Sequence, residues 1–351
     1  MQTDRGRYFE DFSIGEDIVH PTPRTLNLGD AALYMALYGS RFALQADSCA
    51  RALGYPQAPL DDLLVFHTIF GKSVPDISRN AVANLGYAEG RFLKPVFAGT
   101  TLRAHSRVLG LKENSNGKTG IVWVRTTGID DHGDEVLSYV RWVMVNKHDP
   151  DKPCAREAVI PQLQGAVLAD ALKAPEGVDF SKFEPRDSGS ELCWDDYKQG
   201  DKIDHVDGMT VEEAEHMIAT RLYQNTARVH FDQYAQGQGH VGRRLAYGGH
   251  TISIGRAMSF NGLANAFCLL AVNSGQHVSG VFAGDTLYCW SQVLDKAAIA
   301  GRSDCAALRL RLIATKNVPC RTFPYQRSDG TYAPEVVLDF DYWALMPRRA
   351  G

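Results

Sequence analysis

VFAGTTL, residues 96–102, returns 185 residues later as VFAGDTL, residues 281–287. The same offset maps YFEDFSIGEDIVH (8–20) onto CWDDYKQGDKIDH (193–205), keeping Gly15 as Gly200, Ile18 as Ile203 and His20 as His205. Between these ends it carries Leu37-Tyr38 onto Leu222-Tyr223 and Asp47 onto Asp232. None of these segments is compositionally biased. One register held from residue 8 to residue 102 therefore marks a duplicated domain.

Each copy reads as helices followed by strands. LNLGDAALYMALYG (26–39) and MTVEEAEHMIATRLY (209–223) have amphipathic periodicity, and in the second Thr210 with Glu213 carries a capping-box signature. APLDDLLVFHTIFGK (58–72) and GGHTISIGRAMSFNG (248–262) come next; the first is apolar nearly all round, as a helix buried on every side must be. TGIVWVRTT (119–127), EVLSYVRWVMV (135–145), DTLYCWSQVL (285–294), ALRLRLIAT (307–315) and EVVLDFDYWALM (335–346) have the alternation and β-branched and aromatic content of half-buried strands. Asp131-His132-Gly133 predicts a hairpin turn, and the second copy carries about 15 more residues there, near 317–330. The inventory predicts an α+β fold of two tandem repeats, 1–147 and 191–351, each with a long central helix packed on a curled antiparallel sheet. Residues 148–190, with scattered Pro, Asp, Lys and Ser and no period, read as a linker.

Bulk properties exclude several function classes. A net charge of −4 over 351 residues leaves no basic face for nucleic acid or an anionic membrane. Hydrophobic residues at 44% and charged residues at 22% are those of a soluble globular protein. The seven cysteines (Cys49, Cys154, Cys193, Cys268, Cys289, Cys305 and Cys320) show no C-x-x-C pairing, which reads as free thiols in a reducing cytoplasm. MQTDRGRYFEDF has no apolar leader, and no run of about 18 apolar residues follows. No residues have metal-ligand spacing and no G-x-G-x-x-G opens a helix, so neither a metal nor a cofactor is expected.

Chemistry concentrates in LYQNTARVHFD (222–232), where Asn225 precedes His230 by five residues with Arg228 between them. Ala246-Tyr247-Gly248 follows, its glycine eighteen residues after the histidine and at the start of a helical period. These residues and their spacing resemble the MaoC-like, or hydratase 2, family of hot-dog proteins, whose motif runs G-D-x-N-P-hydrophobic-H-x-D before an A-H-G turn. The resemblance covers both copies and implies a double hot-dog fold that adds water reversibly to an enoyl-CoA thioester. It implies His230 as general acid/base and the Gly248 N–H as oxyanion donor. A helix N-terminus, with unpaired N–H groups and a favourable dipole, suits that second task. Asn225 stands in the place of the motif aspartate, and Arg228 in that of the proline. The first copy carries Ser40, Gln45 and Leu63 at the matching positions, so chemistry is expected only in the second.

LYGSRFAL (37–44), LLVFHTIFGKSVPDIS (63–78), NLGYAEGRF (84–92) and YVRWVMVNKHDP (139–150) are similar to the mesaconyl-CoA (2-methylfumaryl-CoA) hydratase branch of that family. Its substrate carries a carboxylate on the carbon that receives water. A motif aspartate beside that carboxylate would cost on the order of 4 kcal/mol at ~4 Å and an effective dielectric of ~20. Asparagine removes the repulsion, and Arg228 offers a fork for the carboxylate, with Arg41 and Arg256 as other candidates. Arg243 and Arg244 are candidates for the CoA phosphates, while His67 and His250 read as helix-packing residues. An acyl-CoA is thus the expected partner, with a homodimer left open. Two other readings remain: a hot-dog enzyme of different specificity, such as an (R)-type fatty enoyl-CoA hydratase or a thioesterase, and a non-catalytic acyl-CoA-binding module. A fatty chain would want a tunnel free of arginine, and a thioesterase would want a carboxylate on the central helix, where none lies between Gly248 and Gly262.

Overall fold

Ten strands form one sheet in which every adjacent pair is antiparallel. The computed structural model describes residues 5–152, 157–239 and 241–349. The first half supplies β1 (Asp17–Thr25), β2 (Ala81–Phe92), β3 (Thr101–Glu113), β4 (Thr119–Ile129) and β5 (Glu135–Asn146). The second supplies β6 (Lys202–Thr210), β7 (Cys268–His277), β8 (Thr286–Ala298), β9 (Cys305–Lys316) and β10 (Val336–Pro347). The order β1-β3-β4-β5-β2-β7-β10-β9-β8-β6 places the halves head to head, joined by β2 and β7. The helices are α1 (Leu28–Tyr38), α2 (Asp47–Ala52), α3 (Asp62–Ile77), α4 (Pro185–Ser188), α5 (Glu213–Leu222), α6 (Gln233–Gly237), α7 (Gly248–Met258) and α8 (Phe260–Leu263). This is the double hot-dog arrangement.

Helix α3 packs on β1, β3 and β4, and α7 on β6, β8, β9 and β10. Both are buried along almost their whole length, and their apolar residues share one core with the strands of both halves. The pseudo-two-fold axis shows in repeated polar contacts. His20 Nε2 lies 2.7 Å from Ser106 Oγ, as His205 Nε2 lies 2.8 Å from Ser291 Oγ. Tyr38 and Tyr223, equivalent residues, bond to each other through their hydroxyls at 2.8 Å.

Three expectations change. Thr210 does not cap α5: it ends β6, its hydroxyl is bonded to that of Thr286, and Glu212 stands at the N-cap without a side-chain bond. The capping box sits instead in the first copy, where Asn27 and Asp30 satisfy each other's backbone N–H groups at the start of α1. The second central helix stops at Met258, because Gly262 (φ +92°) and the extended ψ of Asn261 break the following turn. The segment read as a linker is a packed strap rather than a loose connection. Val167, Leu172, Val178 and Phe180 are buried in a core with Phe267 and Trp343, whose indole N–H donates to Val167 O at 3.1 Å. Cys154 lies outside the described residues.

Candidate active site

The site begins where α5 ends. Gln224 lies in the left-handed region (φ +52°), the Asn225 N–H reaches back to Thr220 O at 3.0 Å, and the Gln224 N–H to Arg221 O at 3.1 Å. That is a Schellman stop built on glutamine where the first copy has Gly39 (φ +60°). A left-handed non-glycine residue costs energy that its surroundings must hold in place. Here the Lys72 ammonium of α3 donates to the Gln224 side chain. The turn delivers Asn225, only 5% exposed, inward.

Asn225 Oδ1 accepts the Ala227 N–H at 3.0 Å, closing an Asx turn and leaving the Nδ2 donors without a protein partner among the described residues. The chain then makes a 3₁₀ turn over Arg228–His230. Asp232 is spent as the N-cap of α6, accepting the Ala235 N–H at 3.0 Å. His230 Nδ1 lies 2.9 Å from Leu245 O, and since a carbonyl only accepts, Nδ1 carries the proton and Nε2 the free lone pair. Burial is the main cause that lowers the His230 pKa to about 4, so the ring is neutral, and competent as a base, near neutral pH.

Leu245 leads directly to the oxyanion candidate. The Leu245 N–H is bonded to Val229 O and the Ala246 N–H to Val281 O, which ties the motif turn and the repeated VFAGDTL segment to the start of α7. Tyr247 is the N-cap of α7 and provides no side-chain cap, so the first amides of the helix stay available. Gly248 is required by close approach: a Cβ there would fall inside van der Waals contact with the His277 ring.

Asn225, His230 and Gly248 line one cavity of about 300 Å³, together with Tyr87, Tyr247, Thr251, His277, Asn84 and Arg141. His277, at the end of β7, is a second neutral imidazole; burial, then the nearby His230, lowers its pKa to about 4, and its Nε2 lies 3.3 Å from the Tyr87 hydroxyl. Arg141 is fully buried on β5, its guanidinium 4.2 Å from the Phe70 ring centroid. Neither His277 nor Arg141 was singled out by its surroundings in sequence. Arg141 stands at an inward position of a strand, inside a string already carrying the family resemblance, and a charge at such a position was the available signal.

The other sequence candidates lie elsewhere. Arg228 is exposed and lines a separate surface hollow with Arg5, Arg7, Arg79 and His148. Arg41 donates to Asn261 Oδ1 at 2.7 Å and covers the Phe260 ring. Arg256 donates to Ser259 Oγ and Ala266 O and lines a hollow with Asp61 and Asp62 of the first copy. Arg243 lies over the Phe282 ring, and Arg244 pairs with Glu213. His67 and His250 are packing residues: His67 Nε2 lies 3.1 Å from Ser253 Oγ and His250 Nδ1 lies 3.0 Å from the Tyr38 hydroxyl. Among the described residues no group of histidine, cysteine and carboxylate side chains has metal-site geometry, and no helix is long and apolar enough to cross a membrane.

Comparison with known proteins identifies the family and the fold. Residues 2–323 match the family model described as mesaconyl-CoA hydratase. The chain is 56% identical over 349 residues to the β-methylmalyl-CoA dehydratase of Chloroflexus aurantiacus, covering 99% of each chain. It is 57% identical over 349 residues to the mesaconyl-CoA hydratase of Cereibacter sphaeroides, covering 99% of this chain and 100% of the relative. Among solved structures, a MaoC domain protein of Chloroflexus aurantiacus superposes over 100% of both chains with TM-score 0.97 and 55% identity. A Mycobacterium tuberculosis protein with a double hotdog fold covers 98% of this chain and 99% of its own, with TM-score 0.77 and 29% identity.

Proposed function

The chain belongs to the mesaconyl-CoA hydratase family, and from that premise we propose that it is a hydro-lyase interconverting mesaconyl-CoA and β-methylmalyl-CoA, with His230 as its acid/base. Relatives above half identity over essentially the full length carry the substrate assignment. The observation that carries the chemistry is the neutral His230 with Nε2 free, in one cavity with an uncapped helix N-terminus.

Water held by His230 Nε2 loses a proton to it as the oxygen attacks the carbon β to the thioester. The thioester oxygen gains enolate charge at the first N–H groups of α7, where dipole and donors are already oriented. The imidazolium then returns a proton to the α carbon, and the reverse sequence dehydrates. Asn225 cannot take a proton; its Nδ2 donors orient the water or the substrate without placing a second anion beside the carboxylate. The unpaired thiols of the six described cysteines fit a reducing, cytoplasmic setting.

Incubating the protein with mesaconyl-CoA and separately with crotonyl-CoA, while following the enoyl-thioester absorbance, tests the reading. Loss of absorbance with mesaconyl-CoA is expected. No change with either substrate sinks the hydratase assignment, and activity on crotonyl-CoA alone sinks the dicarboxylic specificity.

A further inference from the structure

A buried arginine without a counter-charge lines the catalytic cavity. Arg141 is 0% exposed; burial lowers its pKa from the ordinary arginine value, and the guanidinium stays charged near neutral pH. Its only hydrogen-bond acceptors among the described residues are two hydroxyls, Ser73 Oγ at 2.8 Å from Nη2 and Ser78 Oγ at 3.3 Å from Nη1. No carboxylate among the described residues pairs with it. Asp76, which lies between those serines in sequence, accepts instead from His20 Nδ1 at 2.8 Å. The Arg141 Nε–H is buried with no partner among the described residues. An unpaired buried charge costs several kcal/mol unless something supplies the missing partner.

The same cavity is lined by further unused donors. Asn84 on β2, opposite Val143 in the β2–β5 ladder where Arg141 is opposite Tyr87, has both side-chain polar atoms buried and unbonded. Asn225 Nδ2 is the third. Arg141, Asn84 and Asn225 line the cavity that also holds His230 and Gly248. Buried polar groups are normally satisfied, so three unspent donor groups lining one cavity suit a ligand that brings a strong acceptor.

We propose that Arg141, assisted by Asn84 and the Asn225 amide, is the receptor for the free carboxylate of the substrate and sets the preference for a dicarboxylic over a neutral enoyl-CoA. The proposal rests on the hydration reaction above and deepens it. A carboxylate accepts two parallel N–H bonds from a guanidinium edge, and it neutralises the buried charge as it binds. A neutral enoyl-CoA leaves Arg141, Asn84 and Asn225 unpaired. A site built to bond a polar group rejects the analogue that lacks it by far more than an apolar pocket rejects a missing methylene.

The test is the ratio of kcat/KM for mesaconyl-CoA to that for crotonyl-CoA. Arg141→Gln lowers this ratio by ~100-fold or more, and Asn84→Leu lowers it by roughly tenfold. Removing a buried charge can also disturb folding, so the wild-type protein supplies a readout that needs no variant. Replacing the free carboxylate of mesaconyl-CoA by a carboxamide lowers kcat/KM by ~100-fold or more. Equal treatment of acid and amide by the wild type overturns the proposal, as does an equal loss on both substrates in a folded Arg141→Gln protein. A wild type inert toward mesaconyl-CoA overturns the proposed function and this inference together. An active wild type that ignores the carboxylate overturns this inference alone.

Discussion

The N-termini of α3 and α7 occupy equivalent places in the two repeats and have opposite fates. At α3, Asp61 Oδ1 accepts the Leu63 N–H at 2.9 Å, and Gln45, at the position equivalent to His230, donates to Asp61 Oδ2 at 2.6 Å. Asp62 Oδ2 accepts the Leu269 N–H at 2.7 Å; burial, then Asp61, pushes its pKa up to about 7. The helix end that could hold an oxyanion is thus filled by the protein's own carboxylate and covered by a fully buried leucine. At α7 no side chain among the described residues caps the helix, glycine replaces leucine, and the one side-chain hydrogen bond of the histidine among those residues is through Nδ1. In the proposed mechanism the same backbone scaffold serves as a packing unit in one repeat and as a site in the other. The difference lies in whether polar groups are satisfied internally or left for a ligand.

Changes at matched positions give the largest expected contrast. His230→Ala lowers kcat for mesaconyl-CoA hydration by ~1,000-fold or more, whereas Gln45→Ala stays within about twofold of wild type. Steady-state kinetics of both variants decide it; comparable losses would mean that the first repeat takes part in chemistry. Asn225→Asp restores a carboxylate beside the substrate's own, and a repulsion of ~4 kcal/mol corresponds to a loss of roughly 10²–10³-fold in kcat/KM on the dicarboxylic substrate. Crotonyl-CoA, lacking the charge, should lose much less. Gly248→Ala pushes the new methyl into His277 and disturbs the oxyanion site, for a loss of about 10²-fold in kcat. Its counterpart Leu63→Ala leaves kcat unchanged but costs about 2–5 kcal/mol of stability, measured by urea unfolding.

Acidity acts on the buried and half-buried imidazoles. Burial holds the pKa of His205, His230 and His277 to about 4, and that of His67 and His250 to about 3, against an ordinary value of 6.5. The unfolded chain therefore binds more protons between pH 6.5 and 4. The stability these residues contribute is complete above 6.5 and is lost as pH falls toward 4 for His205, His230 and His277 and toward 3 for His67 and His250. The melting temperature should decline over that window, while hydration activity, which needs neutral His230, falls only as pH approaches about 4. An activity midpoint near 6.5 would show that His230 is not the base, or is not buried in solution.

Much of this was readable because duplication leaves two copies to compare. The offset of 185 residues brought His20 and His205, Tyr38 and Tyr223, and both central helices into register before any coordinates, and the five long alternating runs all became strands. Strands β2 and β7, which join the halves, were not read as strands. β2 interrupts its alternation with Asn84, Gly86 and Gly90, and β7 is buried through most of its length, so neither shows period-two patterning. The motif turn with Asn225, His230 and Gly248 was legible because the spacing of local elements delivers it. The arginines were not: Arg228 follows Asn225 in sequence yet points to a separate surface hollow, and Arg141 enters the cavity from a strand 84 residues before Asn225. Proximity across the fold depends on strand order, which periodicity alone does not reveal.

Titration calorimetry with the saturated analogue of mesaconyl-CoA, which binds without turnover, tests the asymmetry of the two repeats most directly. One ligand bound per chain, with binding retained in Gln45→Ala, is the result expected if only the second repeat offers an open helix end. Two ligands per chain would contradict it.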